Sequence, residues 1–152
     1  MCLVCDRIEW IRRGENPYFV RELETGYVVI GDHQQFFGYA LFLCRRHVAE
    51  LYELEPEFRQ KHLMEMATVA EAVHRAFGAD KMNYELLGNG DGSHAHWHLF
   101  PRRAGDLSAY SSAPGPVWWT PREVMYDEGN RPDAAALEDM KARLAAELEK
   151  LL

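Results

Sequence analysis

The chain has few cysteines, no long apolar run and no excess of positive charge. Only three cysteines occur, too few and too scattered to predict a disulfide framework. The net charge of -7 argues against a non-specific nucleic-acid-binding protein, whose domain would be basic. No apolar stretch is long enough to span a bilayer, and the N-terminus lacks the charged start and apolar core of a signal peptide. We therefore expect a cytoplasmic protein that binds neither nucleic acid nor membranes.

Length and composition indicate one globular domain. The chain has 152 residues, of which 47% are hydrophobic and 27% charged, enough to bury a sizeable core but too few for two typical domains. Neither internal repeats nor low-complexity tracts divide it. We therefore predict a single domain over residues 1–152, in which residues 104–152 form a C-terminal extension made of a loop and an amphipathic helix.

Apolar periodicity and turn residues predict both strands and helices. The clearest helix begins at Pro56 and ends at Gly78, because an apolar stripe recurs at helical spacing between them: Leu63, Met66, Ala70, Val73 and Phe77. His62 and His74 fall on this helix, and we assign them no role, since exposed or half-buried structural histidines are common there. The remaining predicted segments are helices near 8–12 and 137–151, strands at 18–23, 27–30, 39–44 and 82–87, and a loop at 108–119 whose two tryptophans indicate packing or an interface.

Three histidines alternate with apolar residues at His94, His96 and His98, and Pro101-Arg102 follows them. In an extended strand, alternate side chains point to one face, so all three imidazoles are predicted to project together. Imidazole can act near neutral pH as a nucleophile, a proton donor or a metal ligand. The pattern therefore fits a metal cage, or phosphoryl or nucleotidyl transfer in which Arg102 supplies positive charge.

The cysteine pair Cys2-x-x-Cys5 lies at the N-terminus, where it does not follow a strand as a redox pair normally would. His47 and His94 are the natural candidates for two further ligands, and two cysteines with two histidines can form a tetrahedral zinc site. Two reduced thiols without a metal are the alternative. Cys44, at the end of an apolar strand, is predicted to be a buried small hydrophobic residue.

A glycine-rich segment, Gly88-Asn-Gly-Asp-Gly-Ser93, comes directly before the histidines. Its Asn-Gly pair is typical of a hairpin turn. Exposed backbone N–H groups in such a turn can also face a phosphate held by the adjacent strand. The sequence is consistent with both roles.

These residues together resemble one known family. His94-x-His96-x-His98, two apolar residues and Pro101-Arg102 are similar to the signature of the histidine triad, or HIT, family of nucleotide hydrolases and transferases. The features before the triad also follow a similar order, and the resemblance spans most of the first 103 residues. Those features are Cys2-x-x-Cys5, Gly14-Glu-Asn-Pro17, Asp32, Gly38-Tyr39 and Arg45-Arg-His47-Val-x-x-Leu51.

The resemblance implies an α+β fold with an antiparallel sheet of about five strands, one long central helix and a C-terminal helix, usually dimerised. It also implies that His96 attacks the α-phosphate of a nucleotide to form a covalent nucleotidyl-histidine, which water then hydrolyses. His98 would contact the phosphate or the leaving oxygen, and His94 completes the catalytic set. Zinc-bearing bacterial members similarly use a cysteine pair with two histidines, which here are Cys2, Cys5, His47 and His94.

The resemblance extends to the residues that hold the substrate. Asp32 matches an acidic residue that holds ribose hydroxyls, and Asn83 matches an amide that helps hold the phosphate or leaving group. Many family members carry a Gly-Gln-Ser or Gly-Gln-Thr step just before the triad, whereas this chain has residues 90–93 as Gly-Asp-Gly-Ser. Asn89 or Ser93 is therefore expected to take over the contact of the missing glutamine.

We therefore expect a hydrolase of nucleoside phosphoanhydrides, with dinucleoside polyphosphates as the leading substrates. The expected cofactor is a structural zinc ion without an organic cofactor, and the expected partners are the nucleotide and a second copy of the chain. Three alternatives remain. They are a nucleoside phosphoramidase on the same site, a zinc-stabilised nucleotide-binding protein with little turnover, and a metalloenzyme whose triad forms the metal cage.

Overall fold

The computed structural model describes residues 1–89, 92–107, 117 and 120–152. Residues 90–91 of the predicted glycine-rich turn and both tryptophans of the predicted loop at 108–119 lie outside the described residues. Within the described residues, no helix is both long enough and apolar enough to cross a membrane. The elements in chain order are α1 (Leu3–Arg12), β1 (Phe19–Glu22), β2 (Gly26–Ile30), β3 (Ala40–Cys44), α2 (Pro56–Phe77), β4 (Lys81–Leu86), β5 (His96–Arg102), α3 (Arg122–Met125) and α4 (Ala134–Leu151).

The five strands form one antiparallel sheet in the order β1-β2-β3-β5-β4. The histidine-rich strand β5 is therefore interior, with β3 on one side and β4 on the other. In this register Leu41 lies opposite His98, and Leu43 lies opposite His96. This confirms the predicted α+β fold with its antiparallel five-stranded sheet, long central helix and C-terminal helix.

Helices α2 and α4 cover one face of the sheet and form the principal core with it. Helix α2 begins with Pro56 in its first turn, and Gly78 ends it at a φ of +75°, which an L side chain rarely adopts. Four apolar residues of α4 are buried in the same core: Leu137, Met140, Leu144 and Leu148. The C-terminal helix therefore packs on its own sheet instead of crossing to a second subunit.

The buried face of α2 differs from the predicted stripe near its start, where Leu63 is exposed and His62 is fully buried. His62 Nε2 accepts a hydrogen bond from Trp97 Nε1 at 3.2 Å, so His62 Nδ1 carries the proton and donates to Thr25 Oγ1 at 3.0 Å. Thr25 Oγ1 donates in turn to Glu65 at 2.5 Å. Buried polar groups are tolerated when they are hydrogen-bonded, which explains why two polar residues replace apolar ones on this face. The expectation that His62 is exposed or half-buried is therefore wrong.

This network makes stability sensitive to acid. Burial lowers the pKa of His62 to about 4 from a usual 6.5. The pKa of His62 is lower in the folded state than in the unfolded state, so neutral His62 contributes fully to stability above pH 6.5. This contribution is lost as pH falls through 4, and the total loss is about 3 kcal/mol. Unfolding by urea at pH 7 and pH 4 measures this change. His62→Gln should lose less stability than the wild type over that range.

The control for this acid effect is His74→Gln, which changes an exposed histidine on the same helix. It should keep the wild-type dependence on pH. An equal loss of stability for the wild type and His62→Gln between pH 7 and pH 4 would contradict the prediction.

Helix α1 packs on the opposite face of the sheet, where Ile8 and Ile11 are buried against residues of β2 and β3. The helix begins five residues earlier than the sequence predicts. The side chain of Cys2 caps it by accepting a hydrogen bond from Cys5 N at 3.4 Å, and sulfur is a weak acceptor that capping rules do not include. The first turn of α1 therefore lies on the same face of the sheet as His96 and His98.

Candidate functional site

Strand β5 carries His96 and His98 on one face, while Trp97 between them faces the core formed with α2. The two imidazole rings lie 4.7 Å apart between centroids. His94 comes before the strand, and its ring lies 4.9 Å from the ring of His47 and points to the cysteine pair. Strand β5 therefore carries two of the three predicted histidines, and His94 precedes it with its ring directed to α1, which packs on the same face of the sheet.

His96 is oriented by a backbone carbonyl. Its Nδ1 donates a hydrogen bond to the carbonyl oxygen of His94 at 2.7 Å. A neutral imidazole with the proton on Nδ1 has a free electron pair on Nε2. The arrangement therefore presents Nε2 of His96 as a nucleophile.

Tyr39 is a partner of the triad that the sequence analysis did not assign. Its hydroxyl shares a 2.6 Å hydrogen bond with Nδ1 of His98. Gly31 allows this, because a Cβ there would lie 2.2 Å from the Tyr39 ring. Burial, reinforced by the neighbouring His96, lowers the pKa of His98 to about 3, so His98 is neutral at neutral pH. The Gly38-Tyr39 pair was among the features that resemble the HIT family. The sequence did not show its partner, because Tyr39 and His98 are 59 residues apart.

Four potential metal ligands meet between the start of α1 and the start of β5: Cys2, Cys5, His47 and His94. Their ligand atoms all lie within 4.8 Å of one another. The contacts from cysteine sulfur to histidine Nδ1 span 3.2 to 3.6 Å. Zinc bonds of about 2.0–2.3 Å in a tetrahedron place neighbouring ligand atoms about 3.5 Å apart. The donor set and its spacing therefore fit a structural zinc ion.

His94 connects this cluster to the triad. Its Nε2 donates to the carbonyl oxygen of Cys44 at 2.6 Å, which leaves Nδ1 unprotonated and aimed at the cysteines. Burial lowers the pKa of His94, which favours the neutral imidazole that a metal requires. The same residue orients His96 through its backbone carbonyl. The metal-ligand cluster and the nucleophile are therefore linked through one residue.

A cavity of about 300 Å³ lies beside the two strand histidines, between α1 and the end of α3. Its size is at the lower end of the range for ligand sites. Leu41 and Leu43 form part of its wall and pair with His98 and His96 across the sheet. The full lining is Arg7, Val29, Asp32, His33, Tyr39, Leu41, Leu43, Met125 and Tyr126.

Asp32 lies in this cavity and is half-buried. Arg7 donates to both of its carboxylate oxygens, from Nη1 to Oδ1 at 2.9 Å and from Nη2 to Oδ2. Arg131 approaches Oδ2 to 3.9 Å. The carboxylate is therefore held in place with part of its hydrogen-bonding capacity remaining, since an ionised carboxylate offers about four acceptor positions.

A larger cavity of about 670 Å³ lies between α2 and the β1–β2 turn, away from the histidines. Three glutamates line it, Glu24, Glu55 and Glu57, with Lys61 as the basic residue. Its acidic lining would repel an anionic nucleotide. We therefore place the candidate substrate site at the smaller cavity.

Asn83 and Arg102 contact each other on the neighbouring strands β4 and β5. Arg102 donates to Asn83 Oδ1 at 2.9 Å and forms an ion pair with Asp106 at 2.8 Å. Arg102 lies four positions beyond His98 along the strand, or about 13 Å away. Arg102 therefore has a charge partner at the far end of β5.

Asn89 and Ser93 come shortly before the triad and are hydrogen-bonded to each other. Asn89 N donates to Ser93 Oγ at 3.1 Å. Gly92 has a φ of +86°, a conformation that favours glycine. The role of Asn89 and Ser93 in holding the substrate remains a prediction.

Comparisons with known proteins agree with this geometry. A histidine triad protein from Marinobacter aquaeolei VT8 is 30% identical, with 88% of this chain and 90% of that chain covered and a TM-score of 0.67. One from Bradyrhizobium japonicum is 22% identical, with 86% and 89% covered and a TM-score of 0.70. A zinc-bound histidine triad family protein from Mycobacterium smegmatis is 22% identical, with 99% and 94% covered and a TM-score of 0.58. No match was found among curated protein sequences.

The family comparison covers the sheet and the histidine motif. The family model of the HIT domain matches residues 18–105, which is more than half of the chain and includes β1 through β5. Helix α1 with its cysteine pair lies outside the matched range. With the oriented His96 and the adjacent His98, this match shows that the chain belongs to the HIT domain family.

Proposed function

We propose that the protein hydrolyses nucleoside phosphoanhydrides, such as dinucleoside polyphosphates, through a nucleotidyl group carried on His96. Membership of the HIT family supports a nucleotide-binding, hydrolase-type function. The observation that carries the finer proposal is the hydrogen bond from His96 Nδ1 to the His94 carbonyl at 2.7 Å. It leaves the electron pair of Nε2 free to attack phosphorus.

The proposed reaction has two steps. Nε2 of His96 forms a bond to the α-phosphorus while the bond from phosphorus to the bridging oxygen breaks, and the electron pair leaves with the oxygen. Water then attacks the same phosphorus, the phosphorus–nitrogen bond breaks, and the electron pair returns to Nε2. The water loses one proton as the nucleoside monophosphate is released. Covalent catalysis of this kind divides one difficult displacement into two easier ones.

The state of His98 favours a phosphoanhydride over a phosphoramidate. A hydrogen bond accepted at Nδ1 from the hydroxyl of Tyr39 would place the ring proton of neutral His98 on Nε2, a group that can donate to a phosphate or leaving oxygen. Because burial keeps His98 neutral, it carries no additional proton to transfer. A leaving phosphate departs as an anion, whereas a leaving amine requires a proton. We therefore place the nucleoside phosphoramidase second.

The proposed nucleoside site is the cavity of about 300 Å³ beside the histidines. Leucine side chains on its wall fit the apolar faces of a base, and Asp32 at its rim offers acceptors for two ribose hydroxyls. Asn83, Asn89, Ser93 and Arg102 remain proposed substrate-binding residues on the resemblance alone.

We also propose a structural zinc ion at the Cys2, Cys5, His47 and His94 cluster. Its ligand spacing supports this, as does the zinc-bound relative from Mycobacterium smegmatis. Zinc bound there would supply structural cross-linking, since four protein ligands leave no open position for a substrate.

A homodimer is proposed through the outer edge of β4. Within the described residues, no strand pairs with that edge, and Tyr84 and Leu87 are exposed along it. Free strand edges are templates for pairing with another chain. A monomer mass in light scattering at micromolar concentration would remove this proposal.

The test of the proposed activity is intact-protein mass spectrometry after mixing with diadenosine tetraphosphate and quenching without acid, because phosphorus–nitrogen bonds are acid-labile. We expect an adenylyl adduct within the first turnovers and release of adenosine monophosphate. Adenosine 5′-phosphoramidate is tested in parallel, and faster turnover of that compound would favour the phosphoramidase. Turnover without an adduct that depends on added metal would favour the metal-cage alternative.

A further inference from the structure

Helix α1 touches two sites at once. Its first turn supplies Cys2 and Cys5 to the metal-ligand cluster, and Arg7, two residues further, lines the nucleoside cavity. Arg7 binds both carboxylate oxygens of Asp32, and the side chains are 37% and 20% exposed respectively. The family match begins at residue 18, so this helix lies outside the part of the chain that the family model describes.

The position of Arg7 is set by three different contacts of α1. Ile8 and Ile11 are buried against the sheet, and the side-chain amide of Asn16 donates to the Arg7 carbonyl at 3.4 Å. Cys5 is separated from Arg7 by about 3 Å along the helix axis, within one rigid turn. Because the cysteine pair and Arg7 lie on the same helix, a displacement of its first turn would also displace the guanidinium.

The pair between Arg7 and Asp32 leaves Asp32 able to bind a ligand. A bidentate guanidinium uses one acceptor position on each carboxylate oxygen and fixes the plane of the carboxylate. The second position on each oxygen stays available, which matches two neighbouring hydroxyls. A carboxylate that is already oriented loses less conformational freedom when a ligand binds. Arg7 thus acts through Asp32 and need not touch the reacting atoms.

We propose that Arg7 is a positioning residue that couples the metal-ligand cluster to the nucleoside cavity, so that metal and nucleotide each strengthen binding of the other. This inference rests on the proposed nucleoside site. Binding linkage is reciprocal, and coupling between sites typically changes affinity by about 5- to 150-fold. We expect removal of the metal to weaken nucleoside monophosphate binding about 10-fold.

The test measures binding by calorimetry and needs no turnover. Adenosine, guanosine, cytidine and uridine 5′-monophosphates are screened on the zinc-loaded protein, and the tightest is compared with its 2′,3′-dideoxy form. Arg7→Met should weaken the ribonucleotide about 10-fold and the dideoxynucleotide less than about 2-fold, because only the former uses Asp32. In Arg7→Met, chelating the metal should change affinity by less than about 2-fold.

Matched variants separate positioning from damage to the fold. Arg13→Met changes an exposed arginine at the end of the same helix and should bind as the wild type does. Arg7→Lys keeps the charge but loses the two-pronged contact, and it replaces Arg7→Met if that variant does not fold. It should give an intermediate loss for the ribonucleotide alone.

The outcomes distinguish this inference from the proposed function. If none of the four nucleotides binds the wild type, both are overturned. If a ribonucleotide binds the wild type and Arg7→Met equally well, the inference fails and the proposed function stands. Equal weakening of ribonucleotide and dideoxynucleotide would also overturn it, because that pattern indicates general disruption of the cavity.

Discussion

Replacing His96 with alanine is expected to reduce turnover of a dinucleoside polyphosphate by about 10⁴-fold or more, because removal of a nucleophile eliminates the covalent route. Nucleotide binding should change little, since the cavity and Asp32 are built from other elements. The adenylyl adduct should be absent. Steady-state kinetics, calorimetric binding and intact mass measured on the same preparation check the three expectations together.

The control for His96→Ala is His74→Ala, which removes an exposed histidine on α2 and should leave kcat and KM unchanged. Turnover of His96→Ala within about 10-fold of the wild type would contradict covalent catalysis at this residue. If the wild type binds nucleotide but does not hydrolyse the dinucleoside polyphosphate, the alternative of a nucleotide-binding protein with little turnover would be favoured.

Loss of the metal-ligand cluster is expected to destabilise the protein strongly. Cys5→Ser should lose about one equivalent of zinc, because three of the four ligands remain and a hard hydroxyl replaces a soft thiolate. With free zinc about 1,000-fold above its dissociation constant, bound metal contributes about 4 kcal/mol. That corresponds to a melting temperature lowered by about 8–16 °C for a chain of this size. Metal analysis and thermal unfolding with and without chelator measure both effects.

The matched control for Cys5→Ser is Cys44→Ala, which alters the one cysteine outside the cluster. It should keep its zinc and its response to chelator, at the cost of a small cavity in the core. The proposed zinc site would be contradicted if wild-type protein produced in zinc-supplemented medium contains no zinc and has the same melting temperature with and without chelator. Activity lost on chelation without any change in melting would favour a catalytic metal.

The local sequence pattern was sufficient to predict the secondary-structure elements that carry the candidate site. Strand β5 follows from the alternation of histidines with apolar residues, and α2 follows from helical spacing between Pro56 and Gly78. Both signals repeat within one element, so no knowledge of distant residues is needed. The resemblance carried by the triad led to the α+β fold that the structure has.

The errors concern residues whose environment is made by distant parts of the chain. His62 resembles a surface histidine until Trp97 and Thr25 are placed beside it. Likewise, the alternation predicts a strand that includes His94, whereas β5 begins at His96 and His94 contacts the cysteines of α1. Periodicity contains no information about partners 35 to 92 residues away.

The sequence by itself determined the order of the strands and of the three longer helices, the identity of the triad and the residues available for a metal. These depend on residue type and local spacing, which are present in the chain before it folds. Tertiary structure alone decided that Tyr39 reaches His98 and that Arg7 reaches Asp32. Each of these contacts joins elements packed against one another, so its geometry exists only after the sheet and α1 have been assembled.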